Sequence, residues 1–252
     1  MNVPDKWVVL TSCFFRDTRP IKFLLRSARI WGFEHMIRTY GRGELYENWT
    51  RMKVHRMIPV LEGFLAEGIT HYLYTDGRDA FFLNAWDEIQ DKWERMGRPD
   101  MLLSGQTDSF PIPTLGPYYP STAKYKHHCP GGYMGRVDAW LETHRRLVRG
   151  DYESRKTGGD EAGVWQWAWV DGWFRPMIDE QCRIFQNLGG AGTDPQIRDG
   201  VLTNMHTGSF PSILHFTGCC KEARYGVYDD MKPWWDRLYP NHPIEREEIV
   251  AE

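Results

Sequence analysis

The sequence predicts an α/β fold built on a mainly parallel sheet flanked by helices. Short apolar runs typical of buried strands alternate along the chain with stretches in which apolar residues recur at helical spacing. The chain has 252 residues, of which 41% are hydrophobic and 26% charged, an ordinary composition for a globular protein. We therefore expect one domain over residues 1–252, in which residues 232–252 form a C-terminal helix and tail.

The alternation is clearest in the first half of the chain. An apolar, β-branched run predicts a first strand at 6–12, and helical spacing of apolar residues predicts helices at 21–31 and 52–66. Pro59 is expected to kink or interrupt the second helix, because proline cannot donate a backbone hydrogen bond. Two further strands are predicted, at 34–40 and 72–74.

The second half of the chain contains a long loop between regular elements. Residues 105–128 are rich in proline, so we expect a functional loop there, closed by the glycine-containing segment 129–135. The other predicted elements are helices at 85–96, at 137–148 and after residue 160, and strands at 100–104 and 212–218.

The stretch after the strand at 72–74 carries the main candidate site. Asp76 follows the strand, and Asp79 comes next after Gly77 and one further residue. Ligands of parallel sheets bind beyond the carboxyl ends of the strands, where Asp76 is expected to meet residues 11–13. Two carboxylates at this spacing suit a hard cation such as Mg²⁺ or Mn²⁺, which also takes water and phosphate as ligands. The alternative is an ordinary surface turn, since aspartate and glycine are common turn residues.

Composition excludes several classes of protein. The five cysteines are odd in number and lack ligand-like spacing, so neither a disulfide framework nor a zinc site is expected. A net charge of −3 argues against a broad polyanion-coating surface but allows a local basic groove. Without a long apolar run or a signal-peptide pattern, we expect no membrane partner and a cytoplasmic location, which for a viral protein is the host cytoplasm. The twelve tryptophans suit a core and also stacking on sugars or bases.

Five motifs follow one another along most of the chain, from Trp7 to Lys221. They are the segments at 23–28, 74–79, 131–135, 178–188 and 215–221. In this order and spacing they resemble the glycosyltransferase domain of the procollagen lysyl hydroxylases. The resemblance implies a GT-A-like, Rossmann-type α/β fold with a mixed, mainly parallel sheet, and a metal-dependent transferase that uses a UDP-sugar donor.

The resemblance also implies a metal site. In this family pattern Asp76, Asp79 and His215 hold Mn²⁺, or Mg²⁺ in its place, together with the diphosphate of the donor. Two carboxylates and one imidazole leave positions open for phosphate oxygens. From the residues alone, His215 would be a core histidine, because apolar Leu214 and Phe216 flank it.

Further residues are implied to contact the UDP-sugar. Those implied to bind the nucleotide or its diphosphate are Thr11, Lys53, Arg78, Gly218 and Lys221, and those implied to hold the sugar as catalytic carboxylates are Asp160 and Asp179. From the residues alone, Lys221 fits a surface lysine, Asp160 a charge at a helix start, and Asp179 a helix cap.

The sequence departs from the family pattern at several positions, and these departures affect the expected identity of the sugar and the acceptor more than the expected transfer reaction. Arg78 stands where the family has an aromatic residue that stacks on uracil. Cys129 and Pro130 replace an Asn-Ser pair, and Glu161 replaces a glutamine.

The implied reaction is transfer of a hexose, glucose or galactose, to an acceptor hydroxyl with retention of configuration. The acceptor could be a hydroxylysine-type or other protein hydroxyl, a glycan hydroxyl, or a hydroxymethylated base in DNA. A DNA acceptor would use the arginines at 16, 19, 26, 29, 38, 42, 51 and 56 as phosphate contacts, although these could equally be solvated helix faces. The alternative function is a catalytically silent nucleotide-sugar or carbohydrate-binding module on the same fold.

Overall fold

The structure is a computed structural model that describes residues 5–14, 18–44, 51–150, 152, 155, 161–217 and 226–248. The strands are β1 (Trp7–Ser12), β2 (Ile37–Tyr40), β3 (His71–Thr75), β4 (Ala80–Phe82), β5 (Met101–Gln106), β6 (His127–Arg136), β7 (Met177–Asp179), β8 (Phe185–Asn187), β9 (Pro195–Arg198), β10 (Val201–Asn204) and β11 (Ile213–His215). The α-helices are α1 (Lys22–Ile30), α2 (Met57–Ala66), α3 (Trp86–Arg95), α4 (Val137–Arg149), α5 (Glu161–Val170) and α6 (Gly226–Leu238).

A six-stranded sheet forms the centre of the fold, in the order β2-β1-β3-β6-β5-β7. All neighbouring strands run parallel except at β6, which is antiparallel to both β3 and β5. The predicted α/β class with a mixed, mainly parallel sheet is therefore confirmed.

Both faces of the central sheet are covered, which explains why β1 and β3 have apolar residues on both faces. Side chains alternate across β3, so Tyr72 and Tyr74 pack on one face while Leu73 packs on the other. The tyrosine face contacts α2, α4 and α5, and the Leu73 face contacts α1 and α3. β3 is consequently buried along its whole length.

A second, three-stranded sheet brings distant parts of the chain to the site. Its order is β4-β11-β8, in which β11 runs antiparallel to β4 and parallel to β8. His215 lies opposite Ala80 on one side and Asn187 on the other. This pairing delivers the end of β11 to the segment that carries Asp79.

The largest error of the sequence prediction concerns β6. Residues 129–135 were expected to close a loop, yet they form the middle of a ten-residue strand, His127–Arg136, in the central sheet. Glycine-rich sequence usually argues against a strand, but here Gly131 and Gly132 are needed because the rings of His215 and Phe185 pack directly on the backbone. The expected loop before it also contains a 3₁₀ helix at Pro113–Tyr118.

Other differences are smaller. The segment expected as a strand at 34–40 begins with a 3₁₀ turn, Glu34–Met36, before β2. The helix expected at 52–66 consists of a π-helical turn, Arg51–His55, followed by α2. Pro59 falls in the first turn of α2, where a missing N–H breaks no helical hydrogen bond. The hairpin of β9 and β10 was not predicted. Among the helices in the described ranges, none is both long and apolar enough to cross a bilayer.

Candidate metal and donor site

Three potential metal ligands converge beyond the carboxyl end of β3. Asp76 follows β3, Asp79 precedes β4, and His215 ends β11. The Nε2 atom of His215 lies 3.7 Å from Oδ2 of Asp76 and 3.5 Å from Oδ1 of Asp79. One ligand atom from each residue lies within 4.8 Å of the other two. Two carboxylate oxygens and one imidazole nitrogen at this separation could hold a cation such as Mn²⁺ or Mg²⁺.

The imidazole of His215 is oriented by hydrogen bonds from behind. The Nδ2 atom of Asn187 donates to the carbonyl oxygen of Gly105 at 2.6 Å, which leaves Oδ1 facing the histidine. Because Oδ1 can only accept, Nδ1 of His215 donates to it at 2.7 Å. The hydroxyl of Thr217 also donates to Oδ1, at 2.9 Å. A proton held at Nδ1 directs Nε2 toward the two aspartates, as a metal-binding histidine requires.

The three groups also perturb one another electrostatically. Burial acts to lower the pKa of His215, but the adjacent Asp79 carboxylate raises that pKa well above its ordinary value. Burial likewise acts to raise the pKa of Asp79, and the charge and hydrogen bond of His215 hold that pKa below its usual range. The mutual shift reflects a carboxylate and an imidazole packed together away from water.

Asp76 is also held by a network of buried polar side chains. The hydroxyl of Tyr74 donates to Oδ1 of Asp76 at 2.7 Å. The ammonium of Lys53 lies 2.7 Å from Oδ1 and 3.0 Å from Oδ2 of the same carboxylate. It also lies 2.8 Å from Oε1 of Glu161, at the start of α5. Burial acts to lower the pKa of Lys53, but Asp76 and Glu161 raise it well above its ordinary value.

Gly131 of β6 allows the histidine to reach this position. A Cβ atom at residue 131 would lie only 2.0 Å from Cε1 of His215. The carbonyl oxygen of Gly131 accepts a hydrogen bond of 2.9 Å from the backbone N–H of Asp76. Gly131 thus leaves room for the imidazole at its α-carbon and fixes the backbone of Asp76 by its carbonyl.

Thr11 lies at this edge of the sheet, but its side chain is fully buried. Its hydroxyl donates to the carbonyl oxygen of Thr75 at 2.8 Å. It also lies beside Gly77, where an added Cβ would meet the hydroxyl oxygen at 2.5 Å. The contacts therefore give Thr11 a role in holding β1 against the end of β3, and its predicted contact with the nucleotide stays a prediction.

The remaining predicted donor residues divide between described and undescribed parts of the chain. Arg78 lies between the two aspartates, and its positive charge contributes to the lowered pKa of Asp79. Three of the predicted residues, Asp160, Gly218 and Lys221, lie outside the described residues.

Asp179 ends β7, and its buried carboxylate faces the protein backbone. It accepts hydrogen bonds from the N–H groups of Arg183 at 2.9 Å, Ile184 at 2.8 Å and Phe185 at 3.0 Å. A carboxylate that accepts three backbone hydrogen bonds acts like a helix cap. These contacts therefore favour a structural role for Asp179, in which it holds the loop before β8 in place. The predicted contact of Asp179 with the donor sugar stays a prediction.

Sequence reasoning missed two groups that shape the site. Asn187 and Tyr74 lie in the motifs at 178–188 and 74–79, but the sequence alone assigns neither of them a function at the site. Asparagine in an otherwise buried strand was a usable signal, because a buried amide needs partners. Tyr74 gave no comparable signal, since a tyrosine before a strand end is equally typical of a core.

Comparison with known proteins agrees with this geometry. The family described as the PLOD GT domain matches residues 6–228. The procollagen-lysine,2-oxoglutarate 5-dioxygenase of Drosophila melanogaster is 26% identical over 224 residues, covering 81% of this chain and 30% of that protein. The multifunctional procollagen lysine hydroxylase and glycosyltransferase LH3 of Rattus norvegicus is 23% identical over 234 residues, covering 86% of this chain and 30% of that protein. The chain therefore spans about 30% of the length of these relatives.

A solved structure supports the fold. A glycosyltransferase involved in the glycosylation of the major capsid of PBCV-1 superposes with a TM-score of 0.55, covering 90% of this chain and 99% of that chain at 9% identity. At so low an identity the likeness concerns the fold alone. With the family match over most of its length and the GT-A arrangement of its sheet, the chain belongs to the PLOD GT domain family and is a glycosyltransferase domain.

Proposed function

We propose that this glycosyltransferase domain transfers a hexose, glucose or galactose, from a UDP-sugar to an acceptor hydroxyl in a reaction that depends on Mn²⁺ or Mg²⁺. The observation that carries the proposal is the convergence of Asp76, Asp79 and His215 at the carboxyl end of β3. Ligand sites of open α/β sheets lie at this edge. An intact ligand set also argues against a catalytically silent binding module.

The residues around the proposed metal have separate tasks. Asp76 and Asp79 would supply negative charge to the cation, and His215 would supply its Nε2 atom, whose direction Asn187 maintains. A divalent cation held there would supply Lewis acidity that stabilises the negative charge of departing UDP. Lys221 and Gly218 complete the proposed diphosphate site, and Asp160 the sugar site. Retention of configuration is the expectation for the family, and we assign no protein side chain as general base.

The test of the metal assignment is UDP release in the presence of Mn²⁺ and a panel of UDP-sugars. Asp76→Asn and Asp79→Asn should each lower kcat by about a hundredfold or more, because a neutral amide removes a charged ligand. Asp91→Asn is the matched control, since Asp91 is a half-exposed residue of α3 paired with Arg95. Full turnover in either site variant, or equal loss in the control, would refute the assignment.

The acceptor is a separate question, and a cleft beside α1 bears on it. Four basic side chains line this cleft, which has a volume of about 620 Å³: Arg19, Lys22, Arg26 and Arg29. Glu34 pairs with Arg29, and Glu248 pairs with Lys22 and Arg26, so cations outnumber carboxylates. Ile21, the residue just before α1, packs against Gly77, which lies between the two aspartates.

This cleft favours a phosphate-bearing acceptor such as DNA with hydroxymethylated bases over a neutral protein or glycan hydroxyl. Of the predicted arginine face, Arg19, Arg26 and Arg29 line the cleft. Arg38 and Arg56 do not line it and pair with Glu67 and Glu44. The competing acceptor is a hydroxylysine peptide, which the names of the relatives suggest.

The two acceptors can be separated by binding and by product analysis. If the acceptor is DNA, the affinity for a hydroxymethylated duplex should fall steeply with salt, and Arg26→Ala should flatten that dependence. Arg145→Ala is the control, because Arg145 pairs with Glu62 on a different surface. Sugar found on the peptide and none on the duplex would refute the DNA acceptor and leave the transferase assignment intact.

A further inference from the structure

Lys53 occupies an unusual position for a lysine. Its side chain is only 10% exposed, and it approaches Asp76 from the π-helical turn Arg51–His55. The ammonium contacts both carboxylate oxygens of Asp76 and one oxygen of Glu161. Glu161 is itself buried, with a side chain 6% exposed. A buried charge of either sign needs a partner, so the three groups depend on one another.

The contact with Asp76 conflicts with the proposed metal ligation. A divalent cation binds a carboxylate oxygen at about 2.1 Å, and the ammonium already lies 2.7 Å from the same carboxylate. Tyr74 takes a further lone pair of Oδ1. A lysine and a cation sharing Asp76 would bring like charges together at a site shielded from water, where repulsion is weakly screened.

Glu161 offers the ammonium an alternative partner without a large movement. The two charged groups are already 2.8 Å apart. Lys53 can therefore lose its contact with Asp76 and still keep a buried counter-charge. A π-helical turn contains an extra residue relative to an α-helix and is frequent at functional sites. Such a turn suits Lys53 if its side chain has to exchange one carboxylate partner for another.

We propose that Lys53 is a counter-cation of the metal site, which neutralises Asp76 in the metal-free protein and moves from Asp76 to Glu161 when a divalent cation binds. This inference rests on the proposed metal-dependent function. It assigns Glu161, the residue that departs from the family's glutamine, the role of retaining the displaced ammonium.

The test is a double-mutant cycle in Mn²⁺ affinity, measured by electron paramagnetic resonance of free Mn²⁺ on the full chain. Lys53→Met should tighten Mn²⁺ binding by about tenfold. Glu161→Gln should weaken it by about tenfold, because loss of the negative charge of Glu161 leaves the ammonium held more strongly at Asp76. In the Lys53→Met background, Glu161→Gln should have little further effect. Lys232→Met, which removes a surface lysine paired with Asp236, should leave the affinity unchanged.

The outcomes separate this inference from the proposed function. If the wild-type chain binds no Mn²⁺, the metal-dependent function fails. If the wild type binds Mn²⁺ but the effects of the two substitutions add independently, the charges act only at long range and the exchange of partners is overturned.

A second measurement needs no variant and covers the case in which Lys53→Met does not fold. Crystal structures of the wild type with and without Mn²⁺ should show the ammonium within hydrogen-bond distance of Glu161 in both. Contact with Asp76 should be present only without Mn²⁺. A Lys53–Asp76 contact that persists beside the bound cation would overturn the inference.

Discussion

Gly131→Ala should damage the proposed metal site without replacing any of its proposed ligands. The added Cβ would lie 2.0 Å from Cε1 of His215 and 2.8 Å from each ring nitrogen. Ordinary contact begins near 3.4 Å, so the ring and the strand must separate by about 1.4 Å. Neither partner is free to give way. The carbonyl oxygen of Gly131 accepts a hydrogen bond from the backbone N–H of Asp76, and the imidazole of His215 is hydrogen-bonded to Asn187.

The expected magnitudes follow from this overlap. Overpacking in a rigid interior costs about 1–3 kcal/mol of folding stability. Displacement of a ligand by about 1 Å should weaken Mn²⁺ binding by about tenfold to a hundredfold. Both quantities can be measured on one preparation, the first by urea unfolding and the second by electron paramagnetic resonance of free Mn²⁺.

Gly63→Ala provides the matched control. Gly63 lies in α2, and an added Cβ there meets no atom within 4 Å. Alanine should therefore stabilise the protein by about 0.5–1 kcal/mol and leave Mn²⁺ binding unchanged. If Gly131→Ala bound Mn²⁺ as tightly as the wild type, the close approach of strand and imidazole would not matter to the site, and the reasoning would be wrong.

Three other outcomes follow from the buried groups. Asn187→Ala should weaken Mn²⁺ binding by about tenfold or more, because His215 loses its orienting acceptor; unchanged affinity would contradict that role. Trp140→Ala should lower the free energy of unfolding by about 3–5 kcal/mol in urea melts, since this side chain is fully buried, while Mn²⁺ affinity in the folded protein stays the same. Burial lowers the pKa of His128 and His144 to about 3, so each stays neutral when folded and takes up a proton on unfolding below pH about 6.5. Stability should therefore fall as pH drops from 6.5 toward 3, by on the order of 2 kcal/mol per histidine at pH 5, and His144→Leu should flatten that decline.

Local sequence patterns predicted most of the regular elements correctly. The helices α1, α3 and α4 follow from apolar residues at helical spacing, and β1 and β3 from short runs buried on both faces. In each case the signal resides in adjacent residues. The prediction failed at β6, where the glycines that make the sequence look like a loop are required by rings from β11 and β8.

The candidate site likewise has one part that local sequence predicted and one part that it did not. Asp76 and Asp79 could be selected because a strand end and a turn are local features, and the sequence places both carboxylates there. His215 joined them through family resemblance, since nothing in its immediate neighbours distinguishes a ligand from a core histidine. The structure brings it to the aspartates through the pairing of β11 with β4.

The periodicity and strand ends of the sequence were sufficient for the fold class, for most of the regular elements and for the pair of aspartates. The position of β6 in the sheet, the orientation of His215 by Asn187, and the sharing of Lys53 between Asp76 and Glu161 emerged only from the folded chain. These features depend on contacts between segments far apart in sequence, whose geometry is set by strand pairing and packing rather than by neighbouring residues.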